Sequence, residues 1–209
     1  MKKPYIVFEG IVGSGKSTQI KLLYSYLLKK YSNVILTKEP GSTEISDNIR
    51  KIAQGTFFKE HMNPITEAYL YAASRAQSLR AIILPSLNEG KIVLSDRSII
   101  SSLAFQGYGR DLGFDTILEI NKLAVCVFPS LVFYLDVKPE IAVKRTSDKK
   151  GDKFELMDLE FHKKVEKGYK EILKKNIVSY YIIDGNRSIN EIFEEIKEKC
   201  EIFLKEINY

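Results

Sequence analysis

Short, continuously apolar runs alternate along the chain with longer stretches in which apolar residues recur every three or four positions. Tyr5-Ile-Val-Phe8, Asn33-Val-Ile-Leu-Thr-Lys38, Ile92-Val-Leu-Ser-Asp96, Leu131-Val-Phe-Tyr-Leu-Asp136 and Val178-Ser-Tyr-Tyr-Ile-Ile183 are of the first kind and read as strands, the first and the fourth of them buried. The helical period appears from Thr18 to Lys30, where Ile20, Leu23, Leu27 and Leu28 form a stripe. It returns over Glu44 to Gln54, Asn63 to Asn88, Ser98 to Phe105, Asp115 to Val127, Pro139 to Thr146, Leu156 to Lys175 and Ile189 to Ile207. Tyr71 and Arg75, four residues apart in the third of these helices, share a face. Strands alternating with helices predict an α/β fold: a five-stranded parallel sheet with helices on both faces and right-handed crossovers, in one domain over 1–209. In such sheets ligands sit beyond the carboxyl ends of the strands, where Gly10, Glu39, Asp96 and Asp136 all fall.

The turn after the first strand carries the chemistry. Gly10, Gly15, Lys16 and Ser17 satisfy G-x-x-x-x-G-K-[ST], a loop whose backbone N–H groups wrap phosphate oxygens at a helix N-terminus. Gly10, Gly13, Ser14, Gly15, Lys16, Ser17 and Thr18 are thus the candidate contacts of a nucleotide's phosphates, with Lys16 reaching the β/γ-phosphates and the Ser17 hydroxyl ligating Mg²⁺. Asp96, an acid closing an apolar strand, is the expected second partner of that loop, placed to hold Mg²⁺ or its water.

Length and composition narrow the class. With 209 residues, 44% of them hydrophobic, the chain can bury one substantial core. A net charge of +5 suits a phosphorylated ligand as well as an ordinary lysine-rich surface. Cys126 and Cys200 lack a metal-ligand spacing and are expected to be reduced, buried thiols; His61 and His162 receive no catalytic role. No apolar run approaches the ~18 residues of a membrane span, and Met-Lys-Lys-Pro leads straight into a strand, so a cytoplasmic protein with neither membrane nor nucleic-acid partners is expected. The polar, aperiodic run from Ser147 to Lys153 is the candidate mobile lid, at about 147–155.

A phosphate-binding loop serves kinases, switch GTPases and motors alike. The guanine-reading Asn-Lys-x-Asp is absent, since Asn121-Lys122-Leu123-Ala124 lacks the acid, and a motor would need more chain. A kinase for a small phosphorylated acceptor needs cations facing the acceptor and a lid that excludes water, and Arg50, Arg75, Arg97 and the 147–153 loop are candidates.

The chain resembles thymidylate kinases nearly end to end. The resemblance is carried by Phe8-Glu-Gly with the phosphate loop, Thr37-Lys-Glu-Pro-Gly41, Ile49-Arg-Lys51, Ala72-Ala-Ser-Arg75, Ser95-Asp-Arg97, Ser101-Ser-Leu-Ala-Phe-Gln-Gly107, Phe133-Tyr-Leu-Asp-Val137 and Phe161-His-Lys-Lys-Val-Glu-Lys-Gly-Tyr169. It implies transfer of the γ-phosphate of ATP to thymidine monophosphate, with Mg²⁺ required, in a homodimer joined through the helices around 63–88 and 98–126. By the same resemblance Arg75 hydrogen-bonds the thymine edge, Tyr71 stacks on the base, and Ser102 and Gln106 add base-side contacts. Arg50 and Arg97 bind the acceptor phosphate, Glu39 lines the acceptor site, and Asp96 lies near the metal. Arg145 and Lys153 are the nucleotide and lid cations, and Lys16, Arg97, Asp96 and Lys153 form the catalytic set.

Four positions depart from the family pattern. Val12 replaces a carboxylate near the acceptor sugar or metal, Lys38 and Lys153 replace arginines, and Ser98 replaces a bulky Tyr or His. A kinase for another nucleoside monophosphate or a deoxynucleoside, or a nucleotide-binding protein with poor turnover, therefore stays open beside the thymidylate reading.

Overall fold

In the computed structural model, which describes residues 3–55, 58–146, 153–154 and 156–209, the five apolar runs form one parallel sheet. Its strands are β1 (Tyr5–Glu9), β2 (Val34–Lys38), β3 (Ile92–Asp96), β4 (Leu131–Asp136) and β5 (Tyr180–Asp184), in the order β2-β3-β1-β4-β5. The pleat sends alternate side chains into different cores. On β1, Ile6 and Phe8 pack with α1 (Lys16–Leu28) and α9 (Ile189–Glu206), while Tyr5 and Val7 pack on the opposite face. There they meet Leu79, Ile83 and Leu87 of the segment that follows α3 (Pro64–Ser78). β1 and β4 are buried on nearly every residue, which explains runs that are apolar throughout where a one-sided sheet would alternate.

The register aligns the strand ends that bear chemistry. Phe8 pairs with Asp96, and Lys38 also pairs with Asp96, so the phosphate loop, the β2 turn and the β3 acid leave the sheet side by side. Backbone bonds seal this edge, with Glu39 N donating to Asp96 O at 2.9 Å and Arg97 N donating to Phe8 O at 3.0 Å.

Several helices differ from the sequence expectation, each for a local reason. The expected helix over 63–88 widens into a π-helical turn at Leu79–Ile83 before α4 (Leu84–Asn88), just ahead of Pro85, whose missing N–H breaks the regular ladder. The helix expected to end at Phe105 continues from α5 (Ile99–Ser102) through a second π-helical turn, Leu103–Gly109, across glycines expected in a loop. Tight packing on α8 (Leu159–Lys174) explains them. A Cβ at Gly109 would lie 2.8 Å from Phe161 and Val165, and one at Gly168 would lie 2.7 Å from Tyr108. The next helix, α6 (Phe114–Asn121), stops before the expected Val127. α8 starts at Leu159 because the Asp158 side chain accepts from Phe161 N and caps it.

α2 (Glu44–Gln54) and α7 (Pro139–Lys144) complete the set. Both cysteines are free, but only Cys200 is buried, and Cys126 is exposed in the turn before β4. Among the described residues no helix is long and apolar enough to cross a membrane. Most of the expected lid, 147–152 and 155, lies outside the described residues; Lys153 and Phe154 are described.

Candidate active site

The loop between β1 and α1 bends through left-handed backbone at Gly13 and Gly15, with φ 76° and 95°. A side chain at Gly13 would put its Cβ 2.3 Å from the Ala142 carbonyl oxygen, so only glycine permits this approach to α7. Lys16, the first residue of α1, folds back over the loop and donates to the carbonyls of Gly10 (3.0 Å) and Ile11 (2.8 Å) and to Ser14 Oγ (3.2 Å). Burial, and then the like charge of Arg97, lower its pKa to about 7. The open N–H groups at the start of this helix and the Lys16 side chain folded over them together make a receptor for a polyphosphate.

Ser17 follows at the mouth of the loop, and its Oγ donates to Asp96 Oδ2 at 3.0 Å. A hydroxyl and a carboxylate converging on one exposed spot are the hard oxygen donors that Mg²⁺ takes, with phosphate and water filling the rest of its shell. On the donor side, Gly13, Gly15, Thr18 and Arg145 line a separate crevice, and both terminal nitrogens of Arg145 donate to Gly185 O at 3.2 and 3.3 Å.

On the other side of the phosphate loop lies a cavity that gathers all seven acceptor residues expected from the sequence: Glu39, Arg50, Tyr71, Arg75, Arg97, Ser102 and Gln106. Arg75 is its floor. The guanidinium, 2% exposed, donates from Nε to Glu39 Oε2 (2.6 Å), from Nη1 to Asn121 Oδ1 (2.5 Å) and from Nη2 to Ser98 O (3.2 Å) and Ser102 Oγ (2.9 Å). Burial pushes the Glu39 carboxyl up, and the adjacent Arg75 charge opposes it. Gln106 is held by Glu67, which also accepts from Arg110 and pairs with Lys153 at 2.6 Å. Lys153 is thus placed against the wall of this cavity. Phe154 follows it into the cavity, with ring centroids 6.0 Å from Tyr71 and 5.1 Å from Phe105.

Val12, Glu39, Arg50 and Arg97 also line the crevice that contains Lys16, Ser17 and Asp96, so this cavity opens onto the phosphate loop. Arg50 reaches this seam from α2, with Nη1 donating to Pro40 O at 2.9 Å. Arg97 reaches it from a backbone at φ 77°, a conformation that costs a non-glycine residue about 1–3 kcal/mol. Ser95 Oγ, donating to Arg97 O at 2.8 Å, helps hold that strained turn.

Sequence reading missed several members of this site. Glu67 is fully buried, and its spacing from Tyr71 and Arg75 puts all three on one helix face. An acid within an otherwise buried face was the available signal. Glu9, also fully buried, accepts from Ser98, Ser101 and Tyr169; burial raises its pKa against the opposing charge of Arg97. Asn121 and Tyr169 come from distant helices and carry no local signal.

Comparison with known proteins points to one family. A family model described as thymidylate kinase matches residues 8–196. The thymidylate kinase of Finegoldia magna is 46% identical over 198 residues, covering 93% of this chain and 96% of that one. That of Thermoanaerobacter sp. (strain X514) is 39% identical over 205 residues, covering 98% and 100%. The crystal structure of thymidylate kinase from Ehrlichia chaffeensis superposes with a TM-score of 0.77 at 34% identity, covering 94% of this chain and 97% of that one. With the family model matching most of its length and relatives of 39–46% identity covered nearly end to end, the chain belongs to the thymidylate kinase family.

Proposed function

We propose that this protein transfers the γ-phosphate of ATP to thymidine monophosphate, giving thymidine diphosphate, and that the two cavities flanking the phosphate loop hold the two nucleotides. The observation that carries this reading is the seam. Arg50, Arg97 and Glu39 border both the acceptor cavity and the crevice at Lys16, so an acceptor phosphate held by the arginines faces a donor phosphate held by the loop.

Each residue then has a task. The backbone of Gly13 to Thr18 and the Lys16 ammonium cradle the donor phosphates, and Arg145 flanks the donor nucleotide. Arg50 and Arg97 orient the acceptor phosphate in line and offset the charge that spreads over the moving phosphoryl group. Tyr71 offers a ring face to the base, while Ser102, Gln106 and the Arg75 floor offer polar groups at its edge. Ser17 and Asp96 would hold Mg²⁺, which would supply charge neutralisation for the donor phosphates. The reaction needs no covalent intermediate on the protein.

We also assign the protein to the cytoplasm and to a homodimer. Exposed Ile65 and Tyr69 on α3 and Leu123 after α6, the last 86% exposed, support the face expected from the sequence as the dimer surface. A coupled ADP-release assay across nucleoside monophosphates and deoxynucleosides tests the activity. Turnover on thymidine monophosphate well above every other acceptor is expected, and a stronger preference for another acceptor overturns the assignment. Sedimentation analysis of the parent and Leu123→Glu tests the dimer.

A further inference from the structure

We propose that Tyr169, on the helix that follows the lid, is a positioning residue for the acceptor-phosphate arginine Arg97, acting with Ser101 as one of two hydroxyl relays to the buried carboxylate Glu9. This rests on the reading of Arg97 as an acceptor-phosphate ligand.

Two hydroxyls from different helices make the same pair of contacts. Arg97 Nη1 donates to Tyr169 OH at 3.1 Å, and Tyr169 OH in turn donates to Glu9 Oε2 at 2.8 Å. Arg97 Nη1 also donates to Ser101 Oγ at 2.9 Å, and Ser101 Oγ donates to Glu9 Oε2 at 2.6 Å. The two hydroxyl oxygens are themselves 2.9 Å apart. Each oxygen accepts from the cation and gives its proton to the anion, so a positive and a negative charge are joined through two neutral groups without touching. Hydrogen bonds to ionised partners are shorter and stronger than neutral ones, and here each hydroxyl has one at either end.

The setting makes the arrangement rigid. Glu9 and Tyr169 are fully buried, and the Tyr169 ring packs on Tyr134 and Phe105 at centroid distances of 5.1 and 6.3 Å. The guanidinium carbon of Arg97 sits 4.9 Å from the Phe105 ring centroid, and Nη1 donates as well to Gly10 O at 3.0 Å in the phosphate loop. A long arginine side chain on a strained backbone is thereby held in one rotamer at the seam between the cavities. Its orientation is set by α5, α8 and β1 together. A misplaced acceptor phosphate loses the in-line geometry on which transfer depends.

Tyr169→Phe keeps the ring and removes only the hydroxyl. The expected result is a fall of about tenfold to a hundredfold in kcat/KM for thymidine monophosphate, with KM for ATP within twofold of the parent. Because Tyr169 acts through Arg97, the same substitution in an Arg97→Lys background should cost less than about threefold. Ser101→Ala, which removes the second relay, should show the same non-additivity. Calorimetric binding supplies an independent reading: Tyr169→Phe should weaken thymidine monophosphate and leave thymidine, which has no phosphate, unchanged. Equal losses in the parent and Arg97→Lys backgrounds, equal weakening of thymidine, or a Tyr169→Phe enzyme within twofold of the parent would each overturn the proposal. The parent's own acceptor preference reports separately on the functional reading. A parent that prefers another nucleoside monophosphate overturns that reading, and the relay is then measured on the preferred acceptor.

Discussion

Lys153 Nζ lies 2.6 Å from Glu67 Oε2, in a carboxylate already shared by Arg110 and Gln106. The pair fastens the residue next to it, Phe154, over Tyr71 and Phe105 in the acceptor cavity. The family resemblance makes Lys153 a lid cation in the catalytic set; its pairing with Glu67 beside Gln106 favours a part in acceptor binding instead. Lys153→Ala should raise KM for thymidine monophosphate about fivefold, the equivalent of about 1 kcal/mol for a partly screened pair, with kcat changed less. Steady-state kinetics decide it, and a tenfold fall in kcat at unchanged KM would put Lys153 on the transferring phosphoryl group instead.

Lys16 should be the most costly side chain to remove from the phosphate loop. Lys16→Ala should lower turnover at least about a hundredfold, the loss typical of one preorganised charge-stabilising donor. Turnover within threefold of the parent would refute the role.

The lowered pKa of Lys16, about 7 against an ordinary 10.5, has two consequences for pH. Polyphosphate binding restores the cation, so at pH 8 ATP binding should take up a proton, and affinity should fall as pH rises above 7. Between 7 and 10.5 the unfolded chain binds more protons at this site than the folded one, so this lysine's contribution to stability grows as pH rises through that window. Titration calorimetry of ATP in two buffers of different ionisation enthalpy measures the uptake. Identical heats in both would count against it.

Val12 lines both cavities but can neither accept a hydrogen bond nor hold a metal water. The nearby carboxylates are committed, Glu39 to Tyr5 and Arg75, and Glu9 to three hydroxyls. Discrimination between thymidine monophosphate and its 3′-deoxy analogue should therefore be weak, and Val12→Asp should increase it by about five- to 150-fold. Comparing kcat/KM for the two acceptors in both proteins checks this. A parent that already prefers the 3′-hydroxyl by more than ~100-fold, unchanged by the substitution, would refute it.

Arg75 and Glu39 have side chains only 3% and 2% exposed. Arg75→Ala strands a buried carboxylate and should destabilise the fold by about 3–5 kcal/mol; Glu39→Gln, which keeps an acceptor near Nε, should cost less. Urea unfolding midpoints at constant slope measure both, and an Arg75→Ala loss below 1 kcal/mol would refute the estimate.

What could be read from the chain before folding was whatever is encoded by residues close together in sequence. The five strands, the turn at Gly10 to Ser17, and the placement of Tyr71 and Arg75 on one helix face follow from short continuous apolar runs, from a period of 3.6 and from glycines at a sharp bend. Strand order, π-helical turns and buried polar networks depend on which distant segments meet, and no local pattern specifies them. Ser17 reaches Asp96 across 79 residues, and Glu9 reaches Tyr169 across 160. The continuation of the α5 helix through Gly107 and Gly109 has the same origin: local propensity argues for a loop there, but close packing of Gly109 against Phe161 and Val165 outweighs a preference of about 1 kcal/mol per glycine. A buried hydroxyl's partners are chosen by three-dimensional proximity and the cost of leaving a charge unpaired, so the tertiary structure alone decided that Glu9, Ser101 and Tyr169 would gather around Arg97.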